Sequence, residues 1–188
     1  MVTVSHLPVA EIVTWVAEIR AGRRETFRRV VERYANAVQA VALAVVGDLD
    51  LARDVAQESF WRAYAGLDTL HEPQKFPAWL MAITRKQDIT MLRERARERR
   101  ALVAREVRQS PCAPAEDRPL AAALAVMDAE DREILLLRHI DGHPVEDVAA
   151  LLGLTYEGAR SRLSRARARL ATALRRLERE LPAPELHD

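Results

Sequence analysis

PVEDVAALLGLTYEGARSRLSRARARL, residues 144–170, decides the architecture of this chain. Pro144 suits the first turn of a helix, where the missing N–H costs nothing. Val145, Val148, Ala149 and Leu152 then recur at helical spacing and give that helix one apolar face. Gly153 ends it by supplying the left-handed backbone of a tight turn. Thr155 is placed to cap a second helix, which turns Ala159, Leu163, Ala166 and Leu170 inward, followed by Leu174 and Leu177. The opposite face carries Arg160, Ser161, Arg162, Ser164, Arg165 and Arg169. A helix about 10–12 Å across fits a DNA major groove about 12 Å wide, where arginine and serine meet base edges and phosphates. The spacing predicts a helix-turn-helix whose second helix reads DNA with its N-terminal half, from Tyr156 onward. A solvated arginine face on an ordinary helical hairpin explains the same residues less well, given how the arginines are massed. From Arg160 to Arg179 eight arginines face one acid, Glu178. Gly158 is a poor helix former in the first turn of that helix, costing up to about 1 kcal/mol.

Outward from this motif the periodicity stays helical, and an all-α fold is expected. Helices are predicted at about 120–127, 129–140, 145–152 and 156–179. Upstream, Ile12, Trp15, Val16 and Ile19 form a short stripe ending near Gly22. Phe27, Val30, Val31, Tyr34, Val38, Val41, Leu43 and Val45 continue at the same spacing until Gly47-Asp48 breaks the helix. A helix from about Asp50 to Leu67 turns Leu51, Val55, Phe60, Tyr64 and Leu67 inward. Asp68–Pro77 reads as an ordered loop, and Trp79, Leu80, Ile83, Ile89 and Leu92 mark a helix running into arginine-rich sequence. Ser110-Pro-Cys-Ala-Pro114 and Pro119 mark a linker. The expected division is an extension helix (1–22), a helical domain (23–100), a flexible linker (101–119), a helix-turn-helix domain (120–179) and a tail (180–188).

The 188 residues carry a formal net charge of +1. The total says little about partners, but its distribution says more. Asp48, Asp50, Asp54 and Glu58 face only Arg53 over eleven residues, far from the arginine cluster. Separate surfaces for separate partners follow, one of them nucleic acid. The single cysteine, Cys112, permits no internal disulfide and fits a reducing cytoplasm. The N-terminus lacks the pattern of a signal peptide. The most apolar run, Val38–Val46, is far short of the ~20 residues that cross a bilayer, so a non-secreted cytoplasmic protein without membrane insertion is expected.

Enzyme chemistry finds no support. His139 and His143 have metal-like spacing, but Asp141-Gly142 and Pro144 break the helix that would align them. Cys112 lacks a fixed partner, and no glycine-rich phosphate loop exists. No catalytic residue, metal or cofactor is expected. On the helix from Asp50, Asp54, Gln57, Glu58 and Trp61 share the face opposite Val55 and Phe60, an acidic patch beside an aromatic that suits a basic protein partner, although from these residues alone a solvated helix face is the stronger reading.

Two blocks of this sequence resemble a known family, the extracytoplasmic-function (ECF) sigma factors of bacterial RNA polymerase. Ala52–Tyr64, Phe76–Arg85 and Leu92-Arg93 look like its promoter-melting domain. Asp131–Leu135, Val148–Leu154 and Arg160–Arg167 look like its upstream promoter-binding domain. The resemblance implies a factor that binds core polymerase, through the β′ coiled coil and the β subunit, and directs promoter-specific initiation. By it, Asp54, Gln57, Glu58 and Trp61 face the polymerase. The 68–76 loop captures a base flipped from the −10 element, and His71, Phe76, Arg85, Lys86 and Arg93 contact the −10 DNA. Tyr156, Arg160, Ser161, Arg162, Ser164 and Arg165 contact the −35 element. An anti-sigma factor is an expected further partner. Flipping a base costs a few kcal/mol, which a pocket must return. For Trp79, core packing is the stronger reading.

Lys86 stands where the family often has asparagine, Thr90 replaces a frequent acid, and Gly158-Ala159 replaces a frequent Thr-Val. Lysine offers donors only, whereas asparagine pairs bidentately with adenine, so an altered −10 preference is expected. Residues 102–119 reach about 60 Å when extended at ~3.3–3.6 Å per residue. Two elements about 17 base pairs apart lie about 58 Å apart at ~3.4 Å per pair, so one domain can sit on each. The competing reading is a stand-alone helix-turn-helix regulator with an N-terminal dimerisation or sensing domain. Binding to core polymerase discriminates the two.

Overall fold

A computed structural model describes residues 9–87, 118–139 and 142–180, and every regular element among them is helical. Ile89, Thr90, Leu92, Arg93, Cys112, Asp141 and most of the linker and tail lie outside the described residues.

The N-terminal half begins with α1 (Val9–Arg20), which buries Ile12, Val16 and Ile19 at spacings of four and three. Gly22, at φ 87°, turns the chain into α2 (Arg24–Val46). Up to Tyr34, α2 buries a single stripe. From Ala37 to Val46 it is buried nearly all round, because α3 packs on one side and the C-terminal half on the other. The apolar run Val38–Val46 is therefore the signature of a central helix. Gly47 closes α2 in the left-handed conformation. Asp48 then caps α3 (Leu49–Ala65), its carboxylate accepting from the Leu51 N–H at 2.8 Å.

The stretch 68–77, expected as an ordered loop, is built around two short 3-10 turns, Leu67–Thr69 and Pro73–Lys75, and leads into α4 (Phe76–Arg85). Beyond residue 117 come α5 (Arg118–Ala125), α6 (Ala129–His139), α7 (Val145–Leu152) and α8 (Tyr156–Glu180). Pro144 sits one place earlier than expected, as the extended residue just before the first turn of α7.

The two halves do not stand apart. A single apolar cluster runs from Val38, Val41 and Ala44 of α2 through Ile134 and Leu137 of α6 to Leu163 and Ala166 of α8. The helix-turn-helix rests on α4: a Cβ built at Gly153 would lie 3.6 Å from that of Ala78. Arg132 staples the halves. Its guanidinium donates to Ala44 O at 2.8 Å and to Leu124 O and Ala125 O at 3.2 Å. The Ala44 and Ala125 carbonyls belong to the last turns of α2 and α5, where intrahelical donors run out, and the Leu124 carbonyl, which also accepts from the Met127 N–H at 3.2 Å, takes Arg132 as a second donor. Among the described residues no helix is long and apolar enough to cross a membrane.

Candidate nucleic-acid and polymerase interface

On α8 the core side is Ala159, Leu163 and Ala166, all buried. Arg160, Ser161, Ser164 and Arg165 are exposed on the far side, and Tyr156 is 44% exposed at the helix start. Arg160 and Arg165 form no ion pair with the described residues. Three neighbouring arginines are committed. Arg162 is half-buried and bonds Glu130 at 2.7 Å, Arg169 pairs with Asp131, and Arg167 donates to His139 at 3.3 Å. The helix thus divides its arginines between an exposed outward face and flanks that tie it to α6.

Gly158 is explained by the cap. Its N–H donates to Thr155 Oγ1 at 3.1 Å, and a Cβ there would come within 3.0 Å of that oxygen. The missing side chain makes room for the capping hydroxyl.

On α3, Trp61 is 68% exposed, an unusual position for an indole. Gln57 is exposed beside it, and Asp54 and Glu58 are half-buried. The acidic surplus expected here is locally offset. Asp48 is spent on the cap, Asp50 pairs with Arg53 at 2.9 Å, and Glu58 with Arg62 at 2.7 Å. What distinguishes this face is the aromatic more than the charge.

The candidate −10 residues are divided. His71 and Lys86 are exposed, at the loop and at the end of α4. Phe76 is 1% exposed and packs at 5.9 Å on both Tyr34 and Trp79. The expectation that its ring meets DNA is corrected by its position: Phe76 anchors α4 in the core and offers DNA no surface in this conformation. Trp79 is half-buried beside it, in keeping with core packing. Arg85 reaches across to the C-terminal half, where its Nε donates to Glu133 Oε1 at 2.7 Å. The Glu133 side chain is only 5% exposed, and burial pushes its carboxyl upward against the opposing effect of Arg85. Nothing in the spacing of the sequence foretells that pair. The available signal was the acid at 133, set beside Ile134 on a helix whose acids should face water.

His143 is 4% exposed where α7 meets α2. Burial holds its imidazole below the usual range, with Arg33 acting the same way and Asp147 opposing. Nearby, burial raises the Tyr34 hydroxyl to about 12. His139, at the end of α6, is exposed beside Arg167. The two histidines thus face different surroundings and do not converge.

Family comparisons resolve what these surfaces belong to. Residues 30–98 match the model of Sigma-70 region 2, and residues 117–170 match Sigma-70 region 4. The ECF RNA polymerase sigma factor EcfG of Rhodopseudomonas palustris is 31% identical over 142 residues, covering 73% of this chain and 78% of that protein. This chain belongs to the ECF sigma factors. A probable RNA polymerase sigma factor, RfaY of Xanthomonas campestris, is 36% identical over 82% of this sigma factor. The match spans only 42% of that relative's own length. Among solved structures, the sigma factor RpoE of Bartonella quintana, in complex with the anti-sigma factor NepR, is 28% identical with a TM-score of 0.52. It covers 79% of this chain and 96% of its own. The α2–α4 surfaces fall in region 2, and the helix-turn-helix falls in region 4.

Proposed function

We propose that this sigma factor binds core RNA polymerase through the Trp61 face of α3 and directs promoter-specific initiation in the cytoplasm. Its loop and α4 engage the −10 element, and Arg160, Ser161, Ser164 and Arg165 of α8 engage the −35 element. It acts by binding, without catalysis of its own. The observation that carries this reading is the placement of two outward surfaces, an exposed indole on α3 and an uncommitted arginine–serine face on α8, in separate helical units.

The described conformation cannot serve both elements. Elements about 17 base pairs apart lie about 58 Å apart, whereas the turn before α8 touches Ala78 on α4. Promoter binding therefore requires the halves to part, which releases Arg85 from Glu133. An anti-sigma factor that holds the closed form is the regulatory partner this arrangement suits. The NepR complex of the Bartonella relative supports a partner of that kind.

The test mixes the purified protein with sigma-free cognate core polymerase and a pool of randomised promoter-like DNA, then maps transcript starts. Starts downstream of a shared two-part motif are expected. A change of −10 motif on Lys86→Asn would place that residue at the reading face. Duplex binding by α8 without core binding or initiation would instead favour the stand-alone regulator.

A further inference from the structure

The helix α1 precedes the residues matched to region 2, and nothing in the family match gives it a task. Its last residue reaches the loop expected to capture a −10 base. Arg20 Nη2 donates to Leu67 O at 2.9 Å and also to Leu70 O, and its Nε lies 4.0 Å from Asp68. These are the two carbonyls that begin and follow the first 3-10 turn. Arg20 thus clamps the entry to the loop with charge-assisted bonds, the stronger class of hydrogen bond.

The rest of the loop is held by other means. Leu70 and Phe76 are buried at its two ends, and α1 packs directly on the second turn, Pro73–Lys75. Between these anchors His71, Glu72, Gln74 and Lys75 are all exposed. Glu72 is occupied by Lys75 at 2.6 Å and by Gln74 at 3.3 Å, so the loop carries its own neutralising cation for its acid. A short exposed segment held at both ends, with its acid offset, is pre-organised to receive a polar planar group beside a polyanion. Ordering a loop at the moment of binding costs conformational entropy, and that cost is removed if the loop is ordered beforehand.

We propose that Arg20 is a positioning residue for −10 base capture, so that α1 belongs functionally to the melting device. The proposal rests on the reading of 68–76 as the capture loop. Arg20 touches no base. It sets the Leu67–Leu70 turn from which His71 projects, and so fixes where the receiving side chains stand. Its length and the two N–H groups of one planar nitrogen matter, because Nη2 serves both carbonyls.

The test uses holoenzyme formed with cognate core polymerase and a promoter from the randomised pool, carrying 2-aminopurine at successive −10 positions. Capture of an unstacked base is read as fluorescence gain on opening. Arg20→Met keeps an apolar stem without donors, and Arg20→Lys keeps charge and one donor group. A Gln74→Ala, His71→Ala double variant tests the loop itself. Arg20→Met is expected to lower the equilibrium constant for opening about tenfold, with core affinity and −35 duplex affinity unchanged and Arg20→Lys intermediate. If the loop variant loses capture while Arg20→Met retains it, the positioning role is overturned and the capture loop stands. If the loop variant also captures normally, the loop reading itself fails, and the role of Arg20 falls with it. A parallel loss of core and −35 binding in Arg20→Met, not restored by lysine, would show a merely structural residue and equally overturn the proposal.

Discussion

Trp61 is an aromatic residue whose exposure runs against its chemistry. An indole 68% exposed on a helix whose opposite face is buried contributes little to folding and much surface to a partner. Trp61→Ala is expected to weaken core-polymerase binding about 30-fold or more, the range of an interface hot spot, and to leave the melting temperature nearly unchanged. Equilibrium titration of labelled core and thermal unfolding check the two halves of this statement. His143 makes the opposite case, a titratable group inside. Its imidazole is held below the ordinary value chiefly by burial, with Arg33 in the same direction and Asp147 against. A depressed folded value means the neutral form stabilises the packing above about pH 6.5, and this is lost as pH falls through the folded value. Glu133, whose carboxyl is raised, works oppositely: its contribution is full at low pH and is lost as pH rises through its raised value. The comparison must therefore be between variants. Between pH 7.5 and 5.5, His143→Asn should lose less thermal stability than the native chain. An equal loss in both would remove His143 as the cause.

At the level of elements, α8 works because its first turn is fixed. Thr155 caps the N–H of Gly158, and Gly158 leaves the room for it. Thr155→Ala should cost about 1 kcal/mol in denaturant unfolding and loosen −35 binding by fraying the turn that carries Tyr156 and Arg160. The outward arginines should act through phosphates and base edges. Arg160→Ala and Arg165→Ala should each weaken −35 duplex binding. Where the arginine removed had neutralised a phosphate, the salt dependence should flatten by about one unit of slope. Arg169→Ala, by contrast, removes a partner of Asp131 and should leave that slope closer to native. Equal slopes in all three would mean that the division of α8 into reading face and tied flank is mistaken.

For the molecule entire, the closed packing is the main consequence. The ion pair of Arg85 and Glu133 buries a carboxylate, and that burial is the chief influence raising its carboxyl above the ordinary range, against the pull of Arg85. Such a pair favours one geometry without locking it strongly, so separation of the halves would rehydrate Glu133 and free Arg85 for the −10 contact proposed for it. A covalent lock tests this. The double substitution Ala78→Cys and Gly153→Cys, in a Cys112→Ser background, would place two thiol-bearing Cβ atoms near the 3.6 Å seen for the built atom, within disulfide range. Gly153, at φ 66°, adds a strain of about 1 kcal/mol when replaced. The oxidised protein is expected to lose promoter-dependent initiation while the reduced protein retains it. Initiation by the fully oxidised form would show that the halves need not part.

The sequence held the helices, because each one's apolar spacing and caps are local: Gly47, Asp48, Gly153 and Thr155 all act within a few residues of where they stand. It also held the family, through two ordered blocks, and the outward arginines of α8. It did not hold the fate of Phe76, the partner of Arg85 or the staple made by Arg132. Arg85 and Glu133 stand 48 residues apart, and Arg132 and Ala44 stand 88 apart. Their meeting depends on how two amphipathic units choose to cover one another. Periodicity says which face of a helix must be buried, but a face says nothing of its cover, and here α2 is covered from both sides. That choice places Arg85 against an acid and leaves Arg160 and Arg165 in water.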